Sequence, residues 1–382
     1  HHHRFIAGPI APFPGRYMLL SASLIVRDEA EKLGRCLRSL VEVVDEIVVV
    51  DTGSVDDTVQ IAQSFGATVF HRPWGGDFSA ARNYGLDRVS GAWVLYVDAD
   101  EYLAATERSA VEHVLLADDV HVAYRILLRH RRGFTPYFEY RMWRSRPDIR
   151  FEGVMHETVV PSIQRAAESN QLRIGVAELL LEHDGYEGDQ RHKHERNLPL
   201  LQEEALHDPE RTYLWDHIGR IQHDVGFPLE ARQAWQQGVD IVRRNGIRDD
   251  SDSLVFFDLI MSNVEEGRLD HDLVEDSLSL FPHNALIYWS AALHAIADGD
   301  RSAAVTLLNR LLSLSPEYIA RSGIGMNERV TREWAFHARG MMRFKDGDFI
   351  GAAADFGVAE AWAPEIVEYR VKRLLAEAKA RP

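Results

Sequence analysis

The stretch VLYVDADEYL, residues 94–103, places Asp98, Asp100 and Glu101 directly after an apolar run. Alternating carboxylates at the end of a buried strand suit a divalent cation with oxygen ligands, Mg2+ or Mn2+. Such an ion neutralises a diphosphate and stabilises it as a leaving group. On spacing alone, the same carboxylates serve equally well as helix caps or as solvated surface. Two other apolar runs also end in chemistry, at Arg27–Asp28–Glu29 and at Asp51–Thr52–Gly53–Ser54. Ser54 and Asp56 read as caps of the following helix, DDTVQIAQ. Later, FEGVMHETV carries Glu152, His156 and Glu157 around Gly153, and LLLEHDGY sets His183 after another apolar strand.

The elements that must position these groups follow from periodicity. MLLSASLIV, DEIVVVDTGS, GATVFHRP and AWVLYVDAD read as strands, separated by the helical segments EAEKLGRCLRSLVEV, DDTVQIAQSF and FSAARNYGLDRV. Strand and helix alternating at this spacing predict βαβ units on a mainly parallel sheet. Ligands of such sheets bind beyond the C-terminal strand ends, where the polar groups converge.

Beyond about residue 205 the pattern changes to helical hairpins. Three segments align, each with an early aromatic and then Gly219, Ala292 or Gly340 in the first helix. A turn glycine follows (Gly226, Gly299, Gly347), then Ala231, Ala304 or Ala352 in the second helix. This is the tetratricopeptide repeat pattern, with 251–282 as a degenerate copy. The expected organisation is a tag remnant and linker at 1–17, an α/β domain at 18–205 and an all-α repeat domain at 206–382.

The composition, 46% hydrophobic and 27% charged, is that of a soluble globular protein, and no apolar run is long enough to cross a bilayer. With no secretion signal after Met18, the expected compartment is the cytoplasm. A net charge of −16 argues against nucleic acid as a partner. The single cysteine, Cys36, excludes an internal disulfide framework and reads as a packed thiol on a helix. His192 and His194, in a polar helix start, read as surface residues. YFEYRMWRSRPDIRFEG carries Arg141, Arg144, Arg146 and Arg150 among aromatics. Strand alternation splits them between a buried face and a cleft wall, with Trp143 a candidate for a sugar or acceptor site.

In combination, SLIVRDEAEKLGRCLRSL, DEIVVVDTGSVDDT, DFSAARNYGL and WVLYVDADE resemble the successive motifs of family 2 glycosyltransferases, which have the Rossmann-like glycosyltransferase A fold. RFEGVMHETV, LLLEHDGY and KHERNLPLLQEEALHDP resemble the branch with C-terminal tetratricopeptide repeats, to which the sublancin-type peptide S-glycosyltransferases belong. The resemblance implies that Asp51 contacts a uracil ring, that Asp98 meets the ribose or the metal, and that Asp100 is the principal metal ligand. Arg82 would approach the nucleotide, Arg27 its base, and His183 would be the third metal ligand. An imidazole ligand favours Mn2+ over Mg2+.

The resemblance further implies inversion by direct displacement, with a UDP-hexose or UDP-N-acetylhexosamine as donor. Glu157 is the favoured proton acceptor, with His156 next, and Glu152 orients the loop. The acceptor would be a peptide or protein side chain; a saccharide or lipid-linked glycan is the alternative. The rival from another class is a non-catalytic interaction protein working through its repeats, and exposed repeat helices would also suit a homodimer. A nucleotidyltransferase ranks third, because SLIVRDEAEKLG lacks a Gly-rich, basic triphosphate loop.

Overall fold

The structure, a computed structural model, describes residues 18–116, 118–154, 157–183, 191–248 and 250–381. The expected tag and linker, and His156, lie outside these residues, as do the side chains of His192 and His194. Contacts divide the described chain into two compact units. The first holds residues up to Arg132 and from Pro136 to His183; the second holds Gly133–Thr135 and the residues from Arg191 onward.

In the first unit, β1 (Leu20–Val26), α1 (Leu33–Leu40), β2 (Glu46–Asp51), α2 (Thr58–Ser64), β3 (Thr68–His71), α3 (Phe78–Leu86) and β4 (Trp93–Tyr96) follow the expected alternation. β5 (Glu101–Leu103), α4 (Arg108–Leu115), β6 (His121–Arg129), β7 (Tyr137–Arg144), α5 (Val160–Asn170) and β8 (Arg173–His183) complete it. The eight strands form one sheet in the order β3-β2-β1-β4-β7-β6-β8-β5. β3, β2, β1 and β4 are all parallel, and β6 is parallel to β8. β7 runs antiparallel between β4 and β6, and β5 antiparallel against β8. The sheet is therefore Rossmann-like in its first half and mixed in its second.

Alternation along each strand feeds a core on either face. Trp93 and Leu95 join Leu33, Leu37 and Leu40 of α1 and Val111 and Leu115 of α4. Val94 joins Leu86 of α3 and Ile163 of α5 on the other face. Cys36 is buried in the first core, as its helical setting implied. Burial, and then the nearby Glu101, Asp98 and Asp100, push its thiol well above the usual range. Trp143 is 1% exposed and packs in the second core against Tyr96 and Phe151. It is thus a core residue, not part of a sugar site, because its strand position faces α5.

The second unit is all-helical: α6 (Arg191–His207), α7 (Thr212–Asp224), α8 (Pro228–Asn245), α9 (Ser253–Glu265), α10 (His271–Leu280) and α11 (Ala285–Asp298) come first. α12 (Arg301–Ser313), α13 (Pro316–Arg321), α14 (Ala335–Lys345), α15 (Phe349–Trp362) and α16 (Val367–Ala380) follow. α6 packs here because Leu201 and Ala205 share an apolar cluster with Leu214, Ile218 and Ile221 of α7. The helical unit therefore begins before the expected 205/206 boundary. The aligned glycines behave as the repeat pattern requires: Gly226, Gly299 and Gly347 turn each hairpin with φ of 94°, 82° and 83°.

Gly219 and Gly340 are small for a packing reason. A Cβ on Gly219 would strike the Trp235 ring, and one on Gly340 would lie 2.8 Å from Phe356 Cε1. Phe356 is fully buried, so its ring has little room to yield. Gly340→Ala should cost about 1–3 kcal/mol, the overpacking range. Chemical denaturation checks this; unchanged stability would mean that the helices separate without penalty.

Candidate functional site

The strand ends of the first unit bring the sequence-predicted residues together in two groups. The first lies at the ends of β2 and β3. The Asp51 carboxylate accepts from the backbone N–H of Ser54 (3.1 Å) and Gly53 (3.3 Å) and lies 3.2 Å from His71 Nδ1. Burial pushes Asp51 up, but the hydrogen bonds from Ser54, His71 and Gly53 win and hold it below the usual carboxylate range. A cleft of about 540 Å3 opens here, lined by Arg27, Asp51, Thr52, Gly53, His71 and Trp74 among others.

The loops around this cleft are tied to each other. Ser54 Oγ accepts from Asp28 N, and Asp28 Oδ1 accepts from Val55 N, with Asp28 at φ 54°. Asp56 accepts from Thr58 N, as a helix-start residue should, and also from Ala30 N. Ser54 is therefore a strap between two loops and not the expected helix cap.

The second group is the acidic stretch itself, and each of its carboxylates meets a cation from the protein. Asp98 Oδ1 accepts from Arg82 Nη2 at 2.9 Å, and Oδ2 accepts from the Tyr96 hydroxyl at 3.0 Å. Arg82 also donates through Nε to Glu157 Oε1 at 2.5 Å, which places the favoured base beside the acidic stretch. Glu101 receives a two-pronged contact from Arg141, at 2.9 and 3.0 Å. Both guanidiniums lie over the Tyr96 ring, each 4.3 Å from its centroid. Burial raises the Asp98 carboxyl, but Arg82 and Arg141 outweigh it and keep the group below its ordinary range. Glu101 is instead raised, first by burial and despite Arg141.

Asp100 points elsewhere. β5 pairs with β8 so that Glu101 stands opposite His183, and this register carries His183 Nε2 to 3.2 Å from Asp100 Oδ2. Lys32 Nζ lies 3.7 Å from the same oxygen. Burial raises Asp100, but the hydrogen bond and charge of His183 hold it below its ordinary value. His183 is raised, chiefly by that hydrogen bond. Asp100 keeps its charge above about pH 4 and His183 holds its proton up to about pH 6.5 even when unfolded, so the pair stabilises fully between those values. The contribution fades as pH falls through the lowered Asp100 value or rises through the raised His183 value. The melting-temperature gap between wild type and Asp100→Asn should therefore be widest near pH 5–6. A gap that widens toward pH 9 would contradict the pairing.

A divalent ion fits this geometry at Asp100 and His183, one carboxylate oxygen and one imidazole nitrogen within reach of a common centre. Both oxygens of Asp98 already accept from Arg82 and Tyr96, so it fits a positioning role better than a ligand role. Among the described residues, no group of three or more His, Cys, Asp or Glu side chains gathers as a complete ligand set. The remainder of the shell would have to come from a diphosphate and water, as is usual for Mg2+.

The loop bearing Glu157 is fastened to α3. Asn83 exchanges two 2.9 Å hydrogen bonds with the Phe151 backbone, and Phe78 N donates to Val154 O. Gly153 takes φ 94°, the turn its position suggested, and Glu152 pairs with Arg165. Arg141, Tyr96, Lys32, His71 and Trp74 were not identified as site residues from sequence. Tyr96 was hidden in an apolar strand pattern, and Arg141 was one of four clustered arginines. The other three end on the Asp118 and His121 carbonyls (Arg144), on Asp148 (Arg146) and on Asp87 (Arg150).

Residues 21–157 match the sequence profile described as Glycosyl transferase family 2. The first unit carries a family 2 glycosyltransferase domain. A TPR repeat-containing protein of Synechococcus elongatus is 37% identical over 228 residues, 58% of this chain and 56% of that protein. An uncharacterized glycosyltransferase of Rickettsia felis is 35% identical over 121 residues, 31% of this chain and 42% of that one. The SPbeta prophage-derived glycosyltransferase SunS of Bacillus subtilis is 24% identical over 245 residues, 62% and 57% of the two chains. The chain thus spans about half the length of the curated relatives it matches. Among solved structures, glucosyl-3-phosphoglycerate synthase from Mycobacterium tuberculosis, in complex with Mn2+, UDP and glucosyl-3-phosphoglycerate, aligns at TM-score 0.33 and 18% identity, over 44% of this chain and 73% of that one. In the family 2 domain, the acidic stretch 98–101 and Arg82 lie inside the matched segment, while His183 is supplied from beyond it.

Proposed function

We propose that this chain is a metal-dependent, inverting glycosyltransferase that moves a hexose or N-acetylhexosamine from a UDP-sugar to a peptide or protein side chain. What supports the reading is the pairing of Asp100 with His183 in a unit whose residues 21–157 match family 2, with an ionised Asp51 at the end of β2. Asp51, held ionised, accepts a ring N–H, which uracil presents at N3 and adenine lacks. The cleft beside it receives the base, with Arg27 on its wall. Asp100 and His183 hold Mn2+ or Mg2+, which when bound offsets charge on the departing diphosphate. Arg82 and Tyr96 fix the Asp98 carboxylate toward the ribose.

The acceptor oxygen or sulfur forms its bond to the anomeric carbon as the bond to the UDP oxygen breaks. Its proton passes to Glu157, the favoured base, which Arg82 holds in place; such proton transfer contributes typically about 10²- to 10⁴-fold. Among the described residues, no helix is long and apolar enough to cross a membrane. The cytoplasm is the proposed location, where the single thiol stays reduced.

The test is thermal unfolding with UDP, GDP or ADP, each with and without Mn2+. A ligand at 100 times its dissociation constant adds about 2.7 kcal/mol of stability. UDP should raise the midpoint only with Mn2+, and ADP should not. No shift with any nucleotide would leave the interaction-protein reading as the better one.

A further inference from the structure

We propose that Lys32 is an exchangeable cation at Asp100: it pairs with this carboxylate in the metal-free protein, yields to the divalent ion and then pairs with the donor diphosphate. The proposal rests on the nucleotide-sugar reading above. Asp100 Oδ2 faces two nitrogens, His183 Nε2 at 3.2 Å and Lys32 Nζ at 3.7 Å. Their possible roles toward a metal differ. A neutral imidazole can become a ligand, whereas an ammonium has three donors and no acceptor. A divalent ion on this oxygen would lie beside the ammonium, like charge against like charge, so Lys32 has to give way.

The way each cation is held separates Lys32 from the two arginines of the acidic stretch. Arg82 and Arg141 have side chains 9% and 6% exposed and reach Asp98 and Glu101 at 2.9 Å. The Lys32 side chain is 27% exposed and its contact is longer, at 3.7 Å. Ion pairs this open to water hold weakly. The backbone beneath it is fixed. Lys32 N and Leu33 N both donate to Glu29 O, at 3.1 and 2.9 Å, and Leu33 is fully buried at the start of α1. A flexible stem on a fixed backbone lets the ammonium move while it stays within reach of the site. The charge balance supplies its destination. Glu29 stands in the same acidic field, its carboxyl raised by burial and then by Asp100, with Lys32 opposing both. A nucleoside diphosphate brings more negative charge than one divalent ion offsets. Lysine binds phosphate as a point charge, without the fixed geometry of a guanidinium. Arg82 and Arg141 stay committed to their carboxylates, so Lys32 is the cation of this group that can move to the diphosphate.

Lys32→Met removes the charge and keeps most of the stem, and melting curves would confirm that the variant folds. Two readouts in the full chain should then move in opposite directions, which the loss of a merely structural contact would not produce. Binding of Mn2+ alone, followed by the electron paramagnetic resonance signal of the free ion, should tighten by about threefold or more, because a like charge has left the site. UDP binding at saturating Mn2+, measured by calorimetry, should weaken by about tenfold, the order of one charge-assisted hydrogen bond. Mn2+ binding that is unchanged or weaker in Lys32→Met would overturn the proposal, and so would UDP binding as tight as in wild type. Asp100→Ala distinguishes that failure from failure of the underlying reading. If Asp100→Ala weakens Mn2+ binding but Lys32→Met does not tighten it, the role of Lys32 alone is wrong. If Asp100→Ala binds Mn2+ as tightly as wild type, the metal site and the role of Lys32 fall together.

Discussion

Asp100→Ala is expected to lower UDP-sugar turnover by about 10²- to 10³-fold, the usual cost of removing one preorganised electrostatic contact to a leaving group. The same substitution should abolish the part of the UDP-induced stabilisation that depends on Mn2+. Its effect on the unliganded protein should be small. The Asp100 and His183 side chains are each 26% exposed, and pairs open to water contribute about 0–1 kcal/mol. Asp98 moreover repels Asp100, so truncation relieves one unfavourable interaction while losing His183 and Lys32. The decisive comparison is therefore between a near-normal melting curve without ligand and a missing response to UDP with Mn2+. If Asp100→Ala turned over donor at the wild-type rate, the metal would have to lie elsewhere and the proposed mechanism would fall.

Arg141→Met should have the largest effect on stability. Arg141 and Glu101 have side chains 6% and 2% exposed and meet through two hydrogen bonds. Removing one partner of a buried pair leaves an uncompensated charge, at a cost of about 3–5 kcal/mol. For a domain of this size that is roughly a 10 °C fall in melting temperature. Arg141→Met combined with Glu101→Leu should recover most of the loss, because both charges then leave the interior together. Recovery should be incomplete, since Arg141 also lies 3.7 Å from Asp98 and 3.1 Å from Glu139. If the double variant is no more stable than Arg141→Met, the pair is not the source of the penalty. The guanidinium also stacks on Tyr96, which donates to Asp98. The double variant should therefore regain stability without regaining full activity.

Much of this protein was legible in its sequence because the relevant signals are local. Alternation of apolar runs at periods of two and 3.6 located β1 to β4 with α1 to α3 between them. Parallel connection of those elements sends their C-terminal ends to one edge, so Asp51, Asp98 and Asp100 could be expected along the same edge of the sheet from sequence alone. The repeat glycines were legible for the same reason. A hairpin turn needs a positive φ, and a close helix crossing needs a missing Cβ; both requirements act within one or two turns of chain.

The sequence could not determine which charge meets which. Arg82 and Glu157 are 75 residues apart, and Arg141 and Glu101 are 40 apart. Their meeting depends on α3 docking the loop at 150–158 and on β7 entering the sheet beside β4. His183 reaches Asp100 only because β5, three residues long, pairs antiparallel with the end of β8. Strand pairing of this kind is set by burial across the whole sheet, and no local spacing encodes it. The same long-range pairing sent Trp143 into the core, tied Ser54 to the neighbouring loop and gave each carboxylate of the acidic stretch its own cation. Residue type and period determined what chemistry the strand ends could hold. Only the packed sheet decided that Asp98 is fixed by Arg82 and Tyr96, Glu101 by Arg141, and that Asp100 faces His183.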